Sequence, residues 1–159
     1  MSSSGHDLAE ASRVLAQKAV EDATAVREFA SNSEIADSII GFHAQQAVEK
    51  WLKAVMAGRG LKRTRTHDVD RLLEILEKDG CELPPAGALL DELTQYAVPL
   101  RYDQLLDAEP LDRDAAVALV DEVGRWAEAQ LAESPDDESA EGDESAEGDE
   151  SGESGEEAS

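Results

Sequence analysis

The segment from Phe42 to Ala54, FHAQQAVEKWLKA, most constrains the fold, because its polar and apolar residues recur at helical spacing. At about 100° per residue, one broad arc of this helix is apolar. That arc comprises Ile40, Ala44, Ala47, Val48, Trp51, Leu52 and Val55. The opposite stripe mixes apolar and polar side chains, and it comprises Ile35, Ile39, Phe42, Gln46, Glu49 and Lys53. A helix that is apolar on one side and half apolar on the other is typical of a bundle centre, so we expect its polar residues to be partly buried and to have partners.

Helical spacing also dominates the flanking sequence, and no run alternates with the period of two that marks a strand. We predict a first helix over His6–Ala30 and a second over Glu34–Ala57. The Ser31–Glu34 segment has the spacing of a capping box, so it should open the second helix. Gly58–Gly60 should close that helix, because glycine readily adopts the left-handed conformation that ends a helix.

Three more helices are expected in the second half of the chain. A short helix over Asp68–Lys78 should have Thr66 as its cap, and a fourth should extend from Pro84 to Val98. Asp112 should cap a fifth that continues to about Glu133. The inward face of this last helix comprises Ala116, Leu119, Val120, Val123, Trp126 and Ala127. The prediction is an all-α fold, an antiparallel bundle of four long helices plus a shorter one.

The composition changes abruptly at Ser134. Residues 134–159 contain no Leu, Ile, Val or aromatic residue, so this segment cannot offset the entropy of ordering. We predict a folded domain at 1–133 and a disordered acidic tail at 134–159. The tail carries twelve of the 37 acidic residues and no basic residue. Solubility explains such a tail, and mimicry of an acidic ligand on a basic partner surface is the alternative.

Several function classes are disfavoured by composition. The single cysteine, Cys81, excludes an internal disulfide and a cysteine-based zinc cluster. His6, His43 and His67 lack the pairing of a metal site, and no cofactor motif is present, so we expect no metal and no cofactor. Residues 1–133 contain 25 acidic against 14 basic residues, which disfavours broad nonspecific binding of nucleic acid. Without an apolar run of membrane length or a signal segment, the sequence predicts a soluble cytoplasmic protein.

Basic residues are concentrated in one place. Seven of the 14 fall within 22 positions: Lys50, Lys53, Arg59, Lys62, Arg63, Arg65 and Arg71. The predicted third helix begins among them, and its dipole and free N–H groups should favour an anion. The predicted anion-binding set is Lys53, Arg59, Lys62, Arg63, Arg65 and His67. A nucleotide or RNA phosphate would fit this set, as would an acidic partner or the chain's own acidic tail. The alternative is a solvated loop with ordinary charges, in which His67 only caps or packs at the helix start.

Two further features have two interpretations each. Glu49 and Lys53 have the spacing of a helix ion pair, or they form with Gln46 a polar patch for a ligand or subunit contact. Arg101, followed by Tyr102, either ties a helix end or contacts a ligand.

The runs HAQQAVEKWLKAVMAGRG, THDVDRLLEIL and LRYD together resemble the HEPN domain family over about residues 6–132. The resemblance implies a small, usually dimeric helical bundle. Many HEPN proteins pair with a minimal nucleotidyltransferase in toxin–antitoxin modules, and others are RNA-cleaving toxins or parts of defence proteins. The family's polar face corresponds here to Gln46, Glu49, Lys50, Lys53, Asp68, Arg101 and Tyr102, with His67 beside it.

The ribonuclease motif of that family is not matched. Those members have a late Arg followed, after four to six intervening residues, by His. Here three residues separate Arg63 from His67, one separates Arg65 from it, and no His follows Arg101. The resemblance therefore implies a non-catalytic, homodimeric protein that binds a nucleotidyltransferase-type partner, a nucleotide or RNA, within a toxin–antitoxin or defence module. Two alternatives stay open: a metal-independent ribonuclease that uses His67 with Arg63 or Arg65, and an interaction module that acts through the acidic tail.

Overall fold

The computed structural model describes residues 2–85 and 110–133, together with Leu90, Leu93 and Tyr96. The described part is helical and contains no strand, which confirms the all-α prediction. Its helices are α1 (Ser2–Ala30), α2 (Asp37–Gly58), α3 (Val69–Lys78) and α4 (Arg113–Ala132). Leu90 and Leu93 are also helical, but most of the helix predicted over Pro84–Val98 lies outside the described residues, as does the predicted tail.

Helix α2 lies at the centre of the bundle, in contact with α1, α3 and α4. Every residue of its predicted apolar arc is buried, which confirms that prediction. Two glycines allow close packing around α2. A Cβ added at Gly124 of α4 would lie 2.8 Å from the Trp51 indole, and one added at Gly41 would lie 2.6 Å from the Tyr96 ring. Close packing of the core therefore requires glycine, which has no side chain, at these two positions, as well as aliphatic side chains elsewhere.

Helix α4 follows its prediction at both its start and its inward face. The Asp112 carboxylate accepts a hydrogen bond from the Ala115 N–H at 3.0 Å, as expected of an N-cap. The six residues predicted to face inward are all buried. The spacing of the apolar side chains was sufficient to predict where α4 begins and which of its residues face inward, because a single strong cap residue precedes them.

Helix α1 begins at Ser2, four positions before its predicted start, and the predicted start of α2 and the predicted cap of α3 are also wrong. Helix α2 begins at Asp37, and the Asn32 side chain instead accepts from the Glu34 N–H at 2.9 Å, which holds the 31–36 segment in turns. Helix α3 is capped by Asp68, whose carboxylate accepts from two N–H groups of the first turn. Thr66 accepts only from the Asp68 N–H, at 3.1 Å, and so it fixes the cap residue itself.

The glycine stop predicted after α2 is confirmed. Gly60 has a φ of 76°, and the Leu61 N–H donates to the Met56 carbonyl at 2.9 Å. Gly80 ends α3 in the same way, with a φ of 83°. This pairing satisfies carbonyls that the helix end would otherwise leave without partners.

Arg113, at the start of α4, joins three parts of the chain. Its Nε donates to the Asp37 carboxylate at 2.8 Å. Its Nη atoms donate to the carbonyls of Asn32 at 2.9 Å and Ile35 at 2.6 Å. One guanidinium therefore satisfies backbone acceptors in the α1–α2 connection and the carboxylate that begins α2, a role not anticipated from the sequence. In the described part of the chain, no helix combines the length and hydrophobicity that a membrane span requires.

Candidate functional site

The site is built around the Glu49 carboxylate, which α2 places inside the bundle with only 4% of the residue exposed. Lys53 Nζ donates to Glu49 Oε1 at 2.8 Å, and His67 Nδ1 lies 2.9 Å from the same oxygen. Gln45 Nε2 donates to Glu49 Oε2 at 3.0 Å. We refer to Gln45, Glu49, Lys53 and His67 as the Glu49 cluster. Each carboxylate oxygen thus has a partner, as a buried charge requires.

The partners of Glu49 decide its ionisation. Burial by itself would raise the pKa of this carboxyl group, but the hydrogen bonds from Lys53, Gln45 and His67 together outweigh it and lower the pKa below its ordinary value. Glu49 is therefore ionised at neutral pH. The expectation that Gln46, Glu49 and Lys53 would be partly buried and have partners is confirmed, and the predicted helix ion pair is present.

His67 is held by Glu49 but remains accessible. Its side chain is 72% exposed, and no hydrogen bond from a described residue reaches Nε2. The His67 carbonyl also accepts from Gln45 Nε2 at 3.4 Å. Because Asp68 caps α3, His67 is not needed as a cap. A ring oriented through Nδ1 with Nε2 open to solvent can donate to an anion or transfer a proton.

A groove of about 750 Å³ lies between the first half of α1, α2 and the segment from Leu61 to His67. Its apolar surface comprises Leu8, Ala11, Val14, Leu15, Met56, Ala57 and Leu61. Lys53, Arg63, Arg65 and His67 also line it, so the structure brings together four of the six residues predicted to bind an anion. Lys50, Glu49 and, on the α1 side, the acidic residues Asp7 and Glu10 complete the charged lining. Among the described residues, no Phe, Tyr or Trp side chain lines the groove.

Three basic residues beside this groove have no acidic partner among the described residues. These are Lys62, Arg63 and Arg65, which we call the basic loop; all three are exposed. By contrast, the other four basic residues of the 22-residue region are paired: Lys50 with Asp22, Lys53 with Glu49, Arg59 with Asp79 and Arg71 with Glu74. Within this 22-residue region, the positive charge that remains available to a ligand is therefore concentrated in the basic loop.

Arg59 has a structural role. Its Nε donates to the Asp79 carboxylate at 2.7 Å and its Nη2 to the Asp79 carbonyl at 2.9 Å, which joins the end of α2 to the end of α3. The hydrogen bond with Asp79 raises the pKa of the Arg59 guanidinium. Arg59 and Lys62 do not line the groove, although both were predicted to bind the anion.

The start of α3 does not offer the free N–H groups that the sequence suggested. The Asp68 carboxylate accepts from the N–H groups of Asp70 at 3.0 Å and Arg71 at 3.4 Å. A ligand anion at this position would meet a carboxylate of the same charge. The anion prediction therefore depends on side-chain cations and not on the helix terminus.

Lys50 belongs to a separate cluster. Its Nζ donates to Asp22 of α1, and His43 Nδ1 lies 2.9 Å from the other oxygen of that carboxylate. The His43 ring also packs edge-on against Phe29 and Phe42. Asp22 thus ties α1 to α2, and Lys50, which also lines the groove, has its charge paired there by this carboxylate.

Gln45 is completely buried and belongs to the Glu49 cluster, but it was not among the site residues predicted from the sequence. Its position one helical turn before Glu49 was a usable signal, because residues four apart share a face. Arg101 and Tyr102 lie outside the described residues. In the ranges that the structure describes, no three His, Cys, Asp or Glu side chains are grouped so that they could hold a metal ion.

Comparison with known families adds one match. The family model of the HEPN domain matches residues 12–130, which includes all of α2, α3 and the Glu49 cluster. No curated protein and no solved structure matches the chain significantly.

Proposed function

Because this chain belongs to the HEPN domain family, we propose that it is a non-catalytic member that binds the phosphate groups of a nucleotide or RNA at the basic loop. The family membership supports a function related to nucleotides or RNA. The observation that carries the proposal is the set of three cations without acidic partners, Lys62, Arg63 and Arg65, in a chain with a formal net charge of −23. Unpaired cations beside a groove favour an anionic ligand.

The groove also bears on how such a ligand would be held. Arg63 and Arg65 line it together with His67, so charge-assisted hydrogen bonds to phosphate oxygens are available. In the part of the chain that the structure describes, no Phe, Tyr or Trp lines the groove, so the imidazole of His67 is the one ring there on which a base could stack. We therefore expect recognition of phosphate with little preference for base sequence.

Binding is tested by fluorescence anisotropy with a labelled single-stranded RNA and by competition with ATP, at about 50 mM and about 300 mM salt. Replacing both Arg63 and Arg65 with Gln should weaken binding at least about tenfold at low salt, and the difference should shrink at high salt. Arg125→Gln is the matched control, because Arg125 is exposed on α4 and does not line the groove. If neither RNA nor ATP binds at low salt, the phosphate-binding proposal is wrong.

We also propose that the protein forms a homodimer and binds a nucleotidyltransferase-type partner in a toxin–antitoxin or defence module. Apolar side chains at the surface of α2 support a protein contact: Ile39 is 44% exposed and Phe42 is 40% exposed. Sedimentation equilibrium of Phe42→Glu against the native chain tests the dimer, since a charge in an apolar interface should shift the mass towards the monomer. Co-purification with a nucleotidyltransferase encoded beside this gene tests the partner.

A metal-independent ribonuclease is the second candidate, and one contact favours it. Glu49 holds His67 Nδ1 at 2.9 Å while Arg63 and Arg65 line the same groove, an arrangement that could orient a general base near a phosphate. The RNA 2′-hydroxyl would be the internal nucleophile. Cleavage of RNA in the presence of EDTA that disappears in His67→Ala would replace our non-catalytic proposal with this one.

A further inference from the structure

The last turn of α4 lies beside the end of α2, from which the chain leads into the basic loop. Leu131, in the last turn of α4, lines a second groove with Gly58, Gly60, Ala57 and Leu8. Ala57 and Leu8 also line the first groove, so the two grooves adjoin. Lys62 follows Gly60 by two positions. The segment 134–159 therefore begins beside the surface that leads to the unpaired cations.

The charges of the two segments are complementary. The 134–159 segment has twelve acidic residues and no basic residue, whereas the basic loop has three cations without acidic partners among the described residues. The acidic segment contains no Leu, Ile, Val or aromatic residue that could fill the apolar part of the groove. Contact between the two would therefore be electrostatic and sensitive to salt.

Tethering makes a weak contact of this kind significant. The composition of this segment predicts disorder, and a disordered chain of 26 residues has a root-mean-square end-to-end distance of about 25–30 Å, from about 5–6 Å multiplied by the square root of its length. A short flexible tether produces an effective concentration on the order of millimolar. Carboxylates that would bind too weakly from solution can then occupy the loop for an appreciable fraction of the time.

We infer that the acidic segment 134–159 binds the basic loop of its own chain and competes there with phosphate ligands. The competition rests on the proposed phosphate-binding function, whereas the contact itself does not. Carboxylate and phosphate oxygens accept the same hydrogen bonds from arginine, so occupation by one excludes the other. Because a ligand must displace the segment in order to bind, a ligand with several phosphates competes better than a ligand with one.

The contact is tested in the full-length protein by paramagnetic broadening. A nitroxide on Ser145→Cys should broaden the amide resonances of Lys62, Arg63 and Arg65 at low salt. The broadening should disappear at high salt and in the full-length variant that also carries Lys62→Gln, Arg63→Gln and Arg65→Gln. The unsubstituted chain, whose only cysteine is the buried Cys81, controls for stray labelling. Absence of broadening at low salt, or equal broadening in the Gln variant, would overturn the inference.

The competition is tested with the same labelled RNA. A full-length variant with the twelve acidic side chains of 134–159 replaced by their amides should bind about tenfold more tightly than the native chain at low salt. The difference should be small at high salt. Equal affinity of the two chains at low salt overturns the competition. If the amide variant binds neither RNA nor ATP, the phosphate-binding proposal fails, and the broadening experiment alone decides whether the segment contacts the loop.

Discussion

Glu49 Oε1 lies 2.9 Å from His67 Nδ1, and this contact joins the buried side of α2 to the segment that precedes α3. The two residues are 18 positions apart, and one of them is buried while the other is mostly exposed. The pair thus connects the bundle interior to the groove surface.

Replacing Glu49 with Gln should destabilise the protein by about 1–3 kcal/mol, because the half-buried Lys53 ammonium loses its charged partner. The measurement is urea unfolding at neutral pH. Glu74→Gln is the matched control: it removes an exposed carboxylate that pairs with Arg71, and it should cost less than about 0.5 kcal/mol. Equal losses in the two variants would mean that burial of Glu49 adds nothing to its interactions.

The pH dependence of unfolding should differ between the native chain and Glu49→Gln. The folded pKa of Glu49 lies below its unfolded value, so its contribution is complete above the unfolded pKa and is lost as pH falls through the folded pKa. The stability gap between the two chains should therefore be constant near neutral pH and should shrink below about pH 4.3. Urea unfolding at a series of pH values measures it. A gap that widens as pH falls below about 4.3 would contradict the lowered pKa.

Arg113→Lys should destabilise the protein by about 2–4 kcal/mol, because an ammonium group cannot reproduce the several directed donors of a guanidinium. The native side chain serves Asp37 and the carbonyls of Asn32 and Ile35 at once. Thermal unfolding measures the effect. The control is Arg27→Lys, since Arg27 pairs only with Asp121 on the surface among the described residues, and its unfolding midpoint should barely change.

Gly124→Ala should cost about 1–3 kcal/mol, because the new methyl group would meet the Trp51 ring at 2.8 Å. Thermal unfolding measures the loss, and the tryptophan emission should shift as the ring moves. Gly5→Ala is the matched control, since nothing lies within 4 Å of a Cβ there and alanine favours the helix. A Gly124→Ala chain as stable as the native one would show that Trp51 can move at little cost.

The buried faces of the helices could be predicted from the sequence, because apolar residues recur there at helical spacing. Helix starts were predicted less well where two possible cap residues lie close together. The apolar spacing of α2 and α4 identified their buried faces, because burial there follows helical geometry. The sequence predicts a capping box at Ser31–Glu34 and a cap at Thr66, but α2 begins only after Ala36, which provides no side-chain cap, and Asp68 caps α3. Cap residues that occur close together cannot be ranked from their spacing alone.

In the candidate site, only the residues that lie close together in the chain could be predicted to meet. Arg63, Arg65, Lys53 and His67 do line one groove, since short-range connectivity keeps them together. Asp79 is 20 positions from Arg59 in the chain, and their ion pair depends on how α2 and α3 pack. The Arg113–Asp37 pair spans 76 positions, so it likewise follows from tertiary structure and has no local signal.

Both ends of the loop that carries the unpaired cations are anchored. At one end, the Leu61 N–H bonds to the Met56 carbonyl; at the other, His67 is held by Glu49. A segment fixed in this way has already lost much of the freedom that binding would otherwise remove, so a ligand at Arg63 and Arg65 gains affinity from preorganisation. The same anchoring means that a ligand which displaced His67 would have to rehydrate a carboxylate of the bundle interior, so loop movement and core stability are thermodynamically linked.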